Sequence, residues 1–281
     1  MQKDRDQKAL QLGEYCLPLG SRTLIMGILN VTPDSFSDGG RFFEPEKAVV
    51  HARKMVHEGA DIIDVGAEST RPGAVEVEAE EEIARLVPVV ERLVSEVEVP
   101  ISVDTYKAEV ACAALDAGAH MLNDVWGLQR DLKMASVVAR YKVPIVVMHN
   151  KKQAVYEGDL IEEVCHFFKR SICIAEDAGV DKAQIILDPG IGFGKTLEHN
   201  IEMLSRIREL AALGYPLLLG TSRKSVIGGM LNVPPDERLE GTIATNVAGI
   251  IQGVDVIRVH DVVQNCKAAC VTDRIFRKKS F

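Results

Sequence analysis

Asp104, Asn123, Asp188 and Lys224 each stand at, or a few residues beyond, the end of a short apolar run. Together they offer carboxylate and amide acceptors beside amide and ammonium donors, a set suited to the edge of a flat heterocycle with an amidine-like pattern. A carboxylate takes two parallel N–H bonds from such an edge, much as it does from arginine. A second set, Asn30, Arg71, Arg258 and His260, fits an anion or a metal–phosphate group. "IRVHD" puts Arg258 and His260 two apart on a strand, and therefore on one face. Glu68, Thr70, Asp124, His149, Arg223 and Asp261 also fall at run ends. Any one Asp or Asn there reads first as a helix N-cap. A whole rim of amides, carboxylates and cations is not explained as caps.

The elements that must carry these residues follow a repeated unit. "GADIIDVGAES", "GAHMLNDVWG", "GVDKAQIILDPG" and "GVDVIRVHDV" each begin with a glycine that ends a helical pattern, continue as an apolar run and finish polar. The apolar runs lie near Thr23–Leu29, Ile62–Gly66, Ile101–Val103, Met121–Asn123, Pro144–Met148, Ile185–Leu187, Pro216–Leu219 and Val256–Val259. They are short and mostly uninterrupted, as strands covered on both faces are. Ala48, Ala52, Met55 and Val56 share a helical face after Pro45, and Leu197, Ile201 and Leu204 do the same after Thr196, a good N-cap. This alternation predicts an α/β protein, a (β/α)8 TIM barrel, with a short hairpin or cap before Thr23. A doubly wound open sheet is the competing architecture, and the first strand lacks its dinucleotide fingerprint. No linker-like stretch interrupts the chain, so residues 1–281 are expected to form one domain. In a barrel the strand ends open on one rim, where the active sites of this fold lie.

"DPGIGFGKT", Asp188 to Thr196, imitates a nucleotide-binding loop but has Pro189 where the P-loop needs glycine, and its glycines at 190, 192 and 194 miss the G-x-G-x-x-G spacing. The loop reads instead as a wall in which Phe193 offers an aromatic face. A net charge of −8 argues against a nucleic-acid partner. The first residues, "MQKDRDQKALQLG", have no apolar signal core, and no apolar run is long enough to span a membrane, so a cytoplasmic protein is expected. Cys16, Cys112, Cys165, Cys173, Cys266 and Cys270 form no C-x-x-C pair and are expected as small buried hydrophobes in a reducing compartment.

"GILNVTPDSFSDGG", "DVGAESTRPGA", "SVDTYK", "NDVWG", "LDPGIGFGK", "GTSRKS" and "RVHDV" stand in an order that resembles the dihydropteroate synthases, from about Gly27 to Val262. The resemblance implies a (β/α)8 barrel that joins 6-hydroxymethyl-7,8-dihydropterin pyrophosphate to p-aminobenzoate, with Mg²⁺ as cofactor and pyrophosphate as leaving group. It implies that Asp104, Asn123, Asp188 and Lys224 hold the pterin and that Arg258 stacks over it, as a planar guanidinium is able to do. Arg258, His260 and Asn30 would engage the diphosphate, with Asn30 also an oxygen ligand of Mg²⁺. Phe36, Thr70, Pro72, Phe193, Lys224 and Ser225 would line the arylamine pocket, where sulfonamides also compete. Asp38, Arg71 and Lys224 would take part in the chemical step, Asp38 from a loop after Asn30 that closes over the reacting centre. A homodimer packed through barrel helices is implied as well.

The chain departs from the family pattern after "VVMHN", where it reads "KKQAVYEGDL", and at Trp126, where a small residue is expected. His149 reads as a structural histidine. A methyltetrahydrofolate–corrinoid methyltransferase would share the pterin set, but it would not need "NVTPDSFSDGG", "STRPG" and Arg258-x-His260 together. A non-catalytic pterin-binding paralogue is opposed by the presence of Asp38, Arg71 and Lys224.

Overall fold

The computed structural model describes residues 9–31, 44–68 and 76–277. Its strands are β1 (Ala9–Leu12), β2 (Tyr15–Pro18), β3 (Leu24–Asn30), β4 (Ile62–Gly66), β5 (Ile101–Asp104), β6 (Met121–Asp124), β7 (Ile145–Met148), β8 (Ile185–Asp188), β9 (Leu218–Leu219) and β10 (Val256–Val259). The last eight pair in parallel in the order β8-β7-β6-β5-β4-β3-β10-β9. A parallel bridge between Leu187 and Leu217 joins the two ends and closes the barrel. Strands expected from Pro144 and Pro216 begin after those residues, because proline has no N–H for the ladder. Their carbonyls still pair, accepting from Leu122 N at 3.1 Å and Leu187 N at 2.9 Å.

The expected N-terminal hairpin is β1 and β2, paired antiparallel from Ala9↔Pro18 to Leu12↔Tyr15. Leu10 and Leu12 are fully buried in one cluster with Leu24, Met26, Ile62, Met121, Val146, Ile186, Leu218 and Val256. These strand residues point into the barrel, so the hairpin plugs its bottom with aliphatic side chains. Side chains two apart on a strand share a face. The next inward layer is therefore Asp64 above Ile62, Asn123 above Met121, Asp188 above Ile186 and Arg258 above Val256. Apolar filling below and a polar layer above come from alternation within the strands.

The helices α1 (Glu44–His57), α2 (Ala79–Glu96), α3 (Ala108–Asp116), α4 (Met134–Tyr141), α5 (Leu160–Asp177), α6 (Leu197–Leu210), α7 (Ser225–Leu231), α8 (Leu239–Ile251) and α9 (Val262–Phe276) surround the strands. Ala48, Ala52 and Met55 of α1 are buried, as their spacing predicts. Gly59, Gly118, Gly179 and Gly253 have φ of 101°, 101°, 89° and 100°, the left-handed conformation that closes a helix and suits glycine. Thr196 caps α6 by accepting from His199 N. The apolar face expected there is displaced: Ile201 is 42% exposed, while Met203, Ile207 and Leu210 are buried beside Asn200. Asn200 lies inside because its Oδ1 accepts from Gly192 N at 2.7 Å and its Nδ2 donates to Thr196 O at 2.6 Å.

The cysteines correct another expectation. Cys16, Cys173 and Cys270 are exposed and Cys112, Cys165 and Cys266 half-buried, all free thiols. On α3, α5 and α9 the inward positions are taken by Val110, Ala114, Val164, Phe168, Val262 and Ala269.

Candidate active site

The polar layer centres on Arg258. Its Nε donates to Asp64 Oδ2 at 2.6 Å and its Nη2 to Asp104 Oδ2 at 2.8 Å. Asn123 Nδ2 donates to the same Asp64 oxygen at 3.1 Å. Asp64, Asp104 and Asn123 are 0%, 8% and 4% exposed, so this is a buried cluster with two carboxylates on one guanidinium. Among the described residues, Asp64 Oδ1 and Asp104 Oδ1 have no hydrogen-bond partner. Buried acceptors without donors are costly, and an added N–H donor at either oxygen would relieve that cost. Arg258 therefore lies edge-on to the two carboxylates.

On the other side of the barrel, Asp188 is buried and its Oδ1 accepts from Gly190 N at 2.7 Å. Lys224 Nζ donates to Ile191 O at 2.6 Å and lies 4.7 Å from the Phe193 ring centroid. Gly220 opens the interior between them. A methyl built there would sit 3.8 Å from Lys224 Nζ, 3.8 Å from Arg258 Cβ and 4.0 Å from Asp188 Oδ2.

Burial pushes the Asp104 carboxyl up to about 7 despite the facing Arg258, and the Asp64 charge adds to the rise. Burial raises Asp188 as well, against the pull of Lys224. It lowers the Lys224 ammonium to about 8, while Asp188 works to keep the charge. For Arg258 burial disfavours the cation, but Asp64 and Asp104 outweigh it and hold the group above its ordinary value. The layer is thus poised to exchange hydrogen bonds and charge with a polar ring.

Of the remaining expected residues, Asn30 is exposed at the end of β3 and His260 is half-buried just past β10. Phe193 is half-buried and packs with Trp126 against Tyr106, Val125 and Met148. Trp126 thus joins this aromatic wall, with the Arg130 guanidinium 5.2 Å from its ring centroid. Ser225 is exposed at the first position of α7. Phe36, Asp38, Thr70, Arg71 and Pro72 lie outside the described residues.

Three features escaped sequence reasoning. Asp64 sits inside the run "IIDVG", and only its two-residue offset from Ile62 marks it as inward. Lys195 Nζ donates to His149 Nδ1 at 2.8 Å, Gly190 O at 3.1 Å and Phe193 O at 3.2 Å, pinning the glycine-rich wall. Burial among these neutral acceptors lowers the Lys195 ammonium to about 7 and keeps the His149 ring far below its ordinary value. His149 is buried, at 2% exposure, and held by the Lys195 contact. Lys107 Nζ donates to Glu68 Oε2 at 2.5 Å and Glu82 Oε2 at 2.7 Å, an ion cluster beneath the rim.

A closed (β/α)8 barrel with buried acidic and amide side chains at its mouth is what pterin-binding enzymes build, and residues 26–260 match the model of the family described as pterin binding enzyme. The chain belongs to that family. A dihydropteroate synthase of Clostridium beijerinckii is 52% identical over 96% of this chain and 100% of its own length. Among solved structures, a dihydropteroate synthase from Clostridium difficile in the presence of pteroic acid superposes with a TM-score of 0.91 at 57% identity, covering 92% of this chain and 99% of that one. The Xanthomonas albilineans dihydropteroate synthase with 4-aminobenzoic acid gives a TM-score of 0.92 at 42% identity over 97% and 99% of the two chains. Within the family the chain falls among the dihydropteroate synthases, transferases of folate biosynthesis.

Proposed function

We propose that the dihydropteroate synthase activity of this chain runs through two adjoining parts of the barrel mouth. Asp104, Asn123, Asp188 and Lys224 hold the pterin of 6-hydroxymethyl-7,8-dihydropterin pyrophosphate, with Asp64 sharing the load. Arg258, His260 and Asn30 engage its diphosphate. Phe36, Thr70, Pro72, Phe193, Lys224 and Ser225 receive p-aminobenzoate, the place where a sulfonamide would compete. The observation that carries this reading is the buried layer in which Arg258 bridges Asp64 and Asp104 beside Asn123, with Arg258, Lys224 and Asp188 bordering the space left by Gly220.

The chemistry is a substitution at the pterin methylene: its C–O bond to pyrophosphate breaks and a C–N bond to the arylamine forms, with loss of one amine proton. Arg258 and His260 stabilise charge gathering on the leaving oxygens. Asp38 offsets positive charge on the pterin carbon if departure precedes attack, and Arg71 adds a further cation. Exclusion of water by the surrounding loops protects a cationic carbon from hydrolysis.

Mg²⁺ suits this donor set. Asn30 offers a neutral, hard amide oxygen at the rim, and among the described residues no group of three or more His, Cys, Asp or Glu converges as a protein cage would. Mg²⁺ commonly takes one or two protein oxygens and completes its shell with phosphate oxygens and water. When bound, it would supply neutralisation of the diphosphate.

Two further points belong to the proposal. Exposed Met230, Leu231, Ile251, Val271, Ile275 and Phe276 on α7–α9 support a homodimer packed through these helices. Free thiols at all six cysteines support a cytoplasmic setting, and no helix among the described residues is long and apolar enough to cross a membrane.

The test is a pair of binding titrations. Asp188→Asn is expected to weaken a pterin lacking diphosphate at least about tenfold while leaving inorganic pyrophosphate with Mg²⁺ unaffected, and His260→Gln to do the reverse. Equal losses of both ligands in either variant would contradict the division of the site.

A further inference from the structure

Ser222 lies in the turn between β9 and α7 and is only 5% exposed. Its Oγ accepts the backbone N–H of His260 at 3.1 Å and lies 2.9 Å from Nδ1 of the same histidine ring. Among the described residues no other acceptor is within hydrogen-bond reach of this hydroxyl. A buried hydroxyl proton seeks an acceptor, so it goes to the Nδ1 lone pair. Nδ1 is then an acceptor, and the neutral ring carries its proton on Nε2. One serine oxygen grips His260 at backbone and ring, fixing both tautomer and rotation.

The grip is itself braced. Thr221 Oγ1 donates to Asn246 Oδ1 at 3.1 Å, Asn246 Nδ2 donates to Asn265 Oδ1 at 2.8 Å, and Asn265 Nδ2 donates to Asp261 O at 2.8 Å. Asn246 and Asn265 are 1% and 0% exposed. A buried polar run therefore leaves the residue before Ser222 and returns to the residue after His260. Arg223, at φ 58°, closes the same circuit from outside: its Nε and Nη2 donate to the Asp261 carboxylate at 3.0 and 2.6 Å. A left-handed arginine is strained, and such a residue persists where its surroundings over-determine it. Here it separates the inward Ser222 from Lys224.

We infer that Ser222 is a positioning residue that holds His260 in the Nε2–H form, so that the ring donates a hydrogen bond to a diphosphate oxygen of the substrate. The inference rests on the reading above that His260 meets the diphosphate. With the opposite tautomer Nε2 would present a lone pair to an oxyanion, which repels it. Ser222 sets the sign of that contact.

The test reads the tautomer first. Long-range ¹⁵N–¹H spectra of protein labelled in its 7 histidines, assigned with His260→Gln, show which ring nitrogen carries the proton. In the wild type His260 is expected as Nε2–H. Ser222→Ala is expected to lose that preference and to weaken inorganic pyrophosphate roughly tenfold, the worth of one charge-assisted hydrogen bond. Binding of a pterin without diphosphate is expected to stay as in the wild type, and Ser222→Thr, which keeps the hydroxyl, to restore both readouts. An unchanged His260 tautomer in Ser222→Ala would overturn the positioning role. A changed tautomer with undiminished pyrophosphate binding would overturn the inference by removing the diphosphate reading of His260 beneath it.

Discussion

Replacing Arg258 by methionine leaves Asp64 and Asp104 buried without their shared cation. The two bonds, at 2.6 and 2.8 Å, are charge-assisted, and such bonds contribute roughly 1.5–3 kcal/mol each. Removing one partner of a buried ion cluster costs about 3–5 kcal/mol, because the charges left behind are uncompensated. Arg258→Met is therefore expected to lose about 3–5 kcal/mol at pH 9. Asp104 already titrates at about 7 with the guanidinium present. Without it the folded-state value rises further, so the variant's folded state takes up a proton at a pH where the wild type holds none. A carboxyl raised in the folded state carries its penalty above that raised value and sheds it as pH falls toward the unfolded value. The deficit is thus expected to be smaller at pH 6 than at pH 9, by at least about 1 kcal/mol. Urea unfolding followed through Trp126, the single tryptophan, measures both values. Adding Asp104→Asn to Arg258→Met should recover part of the loss. A deficit below about 1 kcal/mol, or one equal at both pH values, would refute the buried-cluster reasoning.

Gly220→Ala adds a methyl at ordinary contact distance from Arg258 Cβ, 3.8 Å, so thermal stability should change by no more than about 2 °C. On the proposed pterin site the methyl enters ligand space, and calorimetric titration should show pterin affinity at least about tenfold weaker. Lys107→Met strands Glu82, 1% exposed, beside Glu68, and denaturant unfolding should register a loss of about 3–5 kcal/mol, which Lys107→Arg reduces.

The barrel was legible because its strands are runs of Ile, Val and Leu whose ends are marked by glycine on one side and polar residues on the other. The polar layer was legible where its residues end those runs, as Asp104, Asn123 and Asp188 do, and where Arg258 and His260 stand two apart in "IRVHD". Asp64 was not, because a carboxylate in mid-strand looks like an interruption until the barrel interior shows that alternate residues face one another. Asn200 misled the placement of the α6 face: its amide satisfies two backbone partners inside, which hydrophobicity does not register. Ser222 was invisible for a similar reason. Its role depends on His260, 38 residues later, being brought within hydrogen-bond distance by the neighbouring strand. Phe36, Asp38, Thr70, Arg71 and Pro72 were expected from the family motifs alone, and they lie outside the described residues.

The most direct test of the central claim is to measure dihydropteroate and pyrophosphate formed by the pure protein from 6-hydroxymethyl-7,8-dihydropterin pyrophosphate, p-aminobenzoate and Mg²⁺. The same measurement on Asp38→Ala, checked for intact pterin pyrophosphate binding, shows whether that residue belongs to the chemical step. The expected result is equimolar products from the wild type and a collapse of condensation in the variant. Folded wild-type protein that binds both substrates and yields neither product would contradict the account.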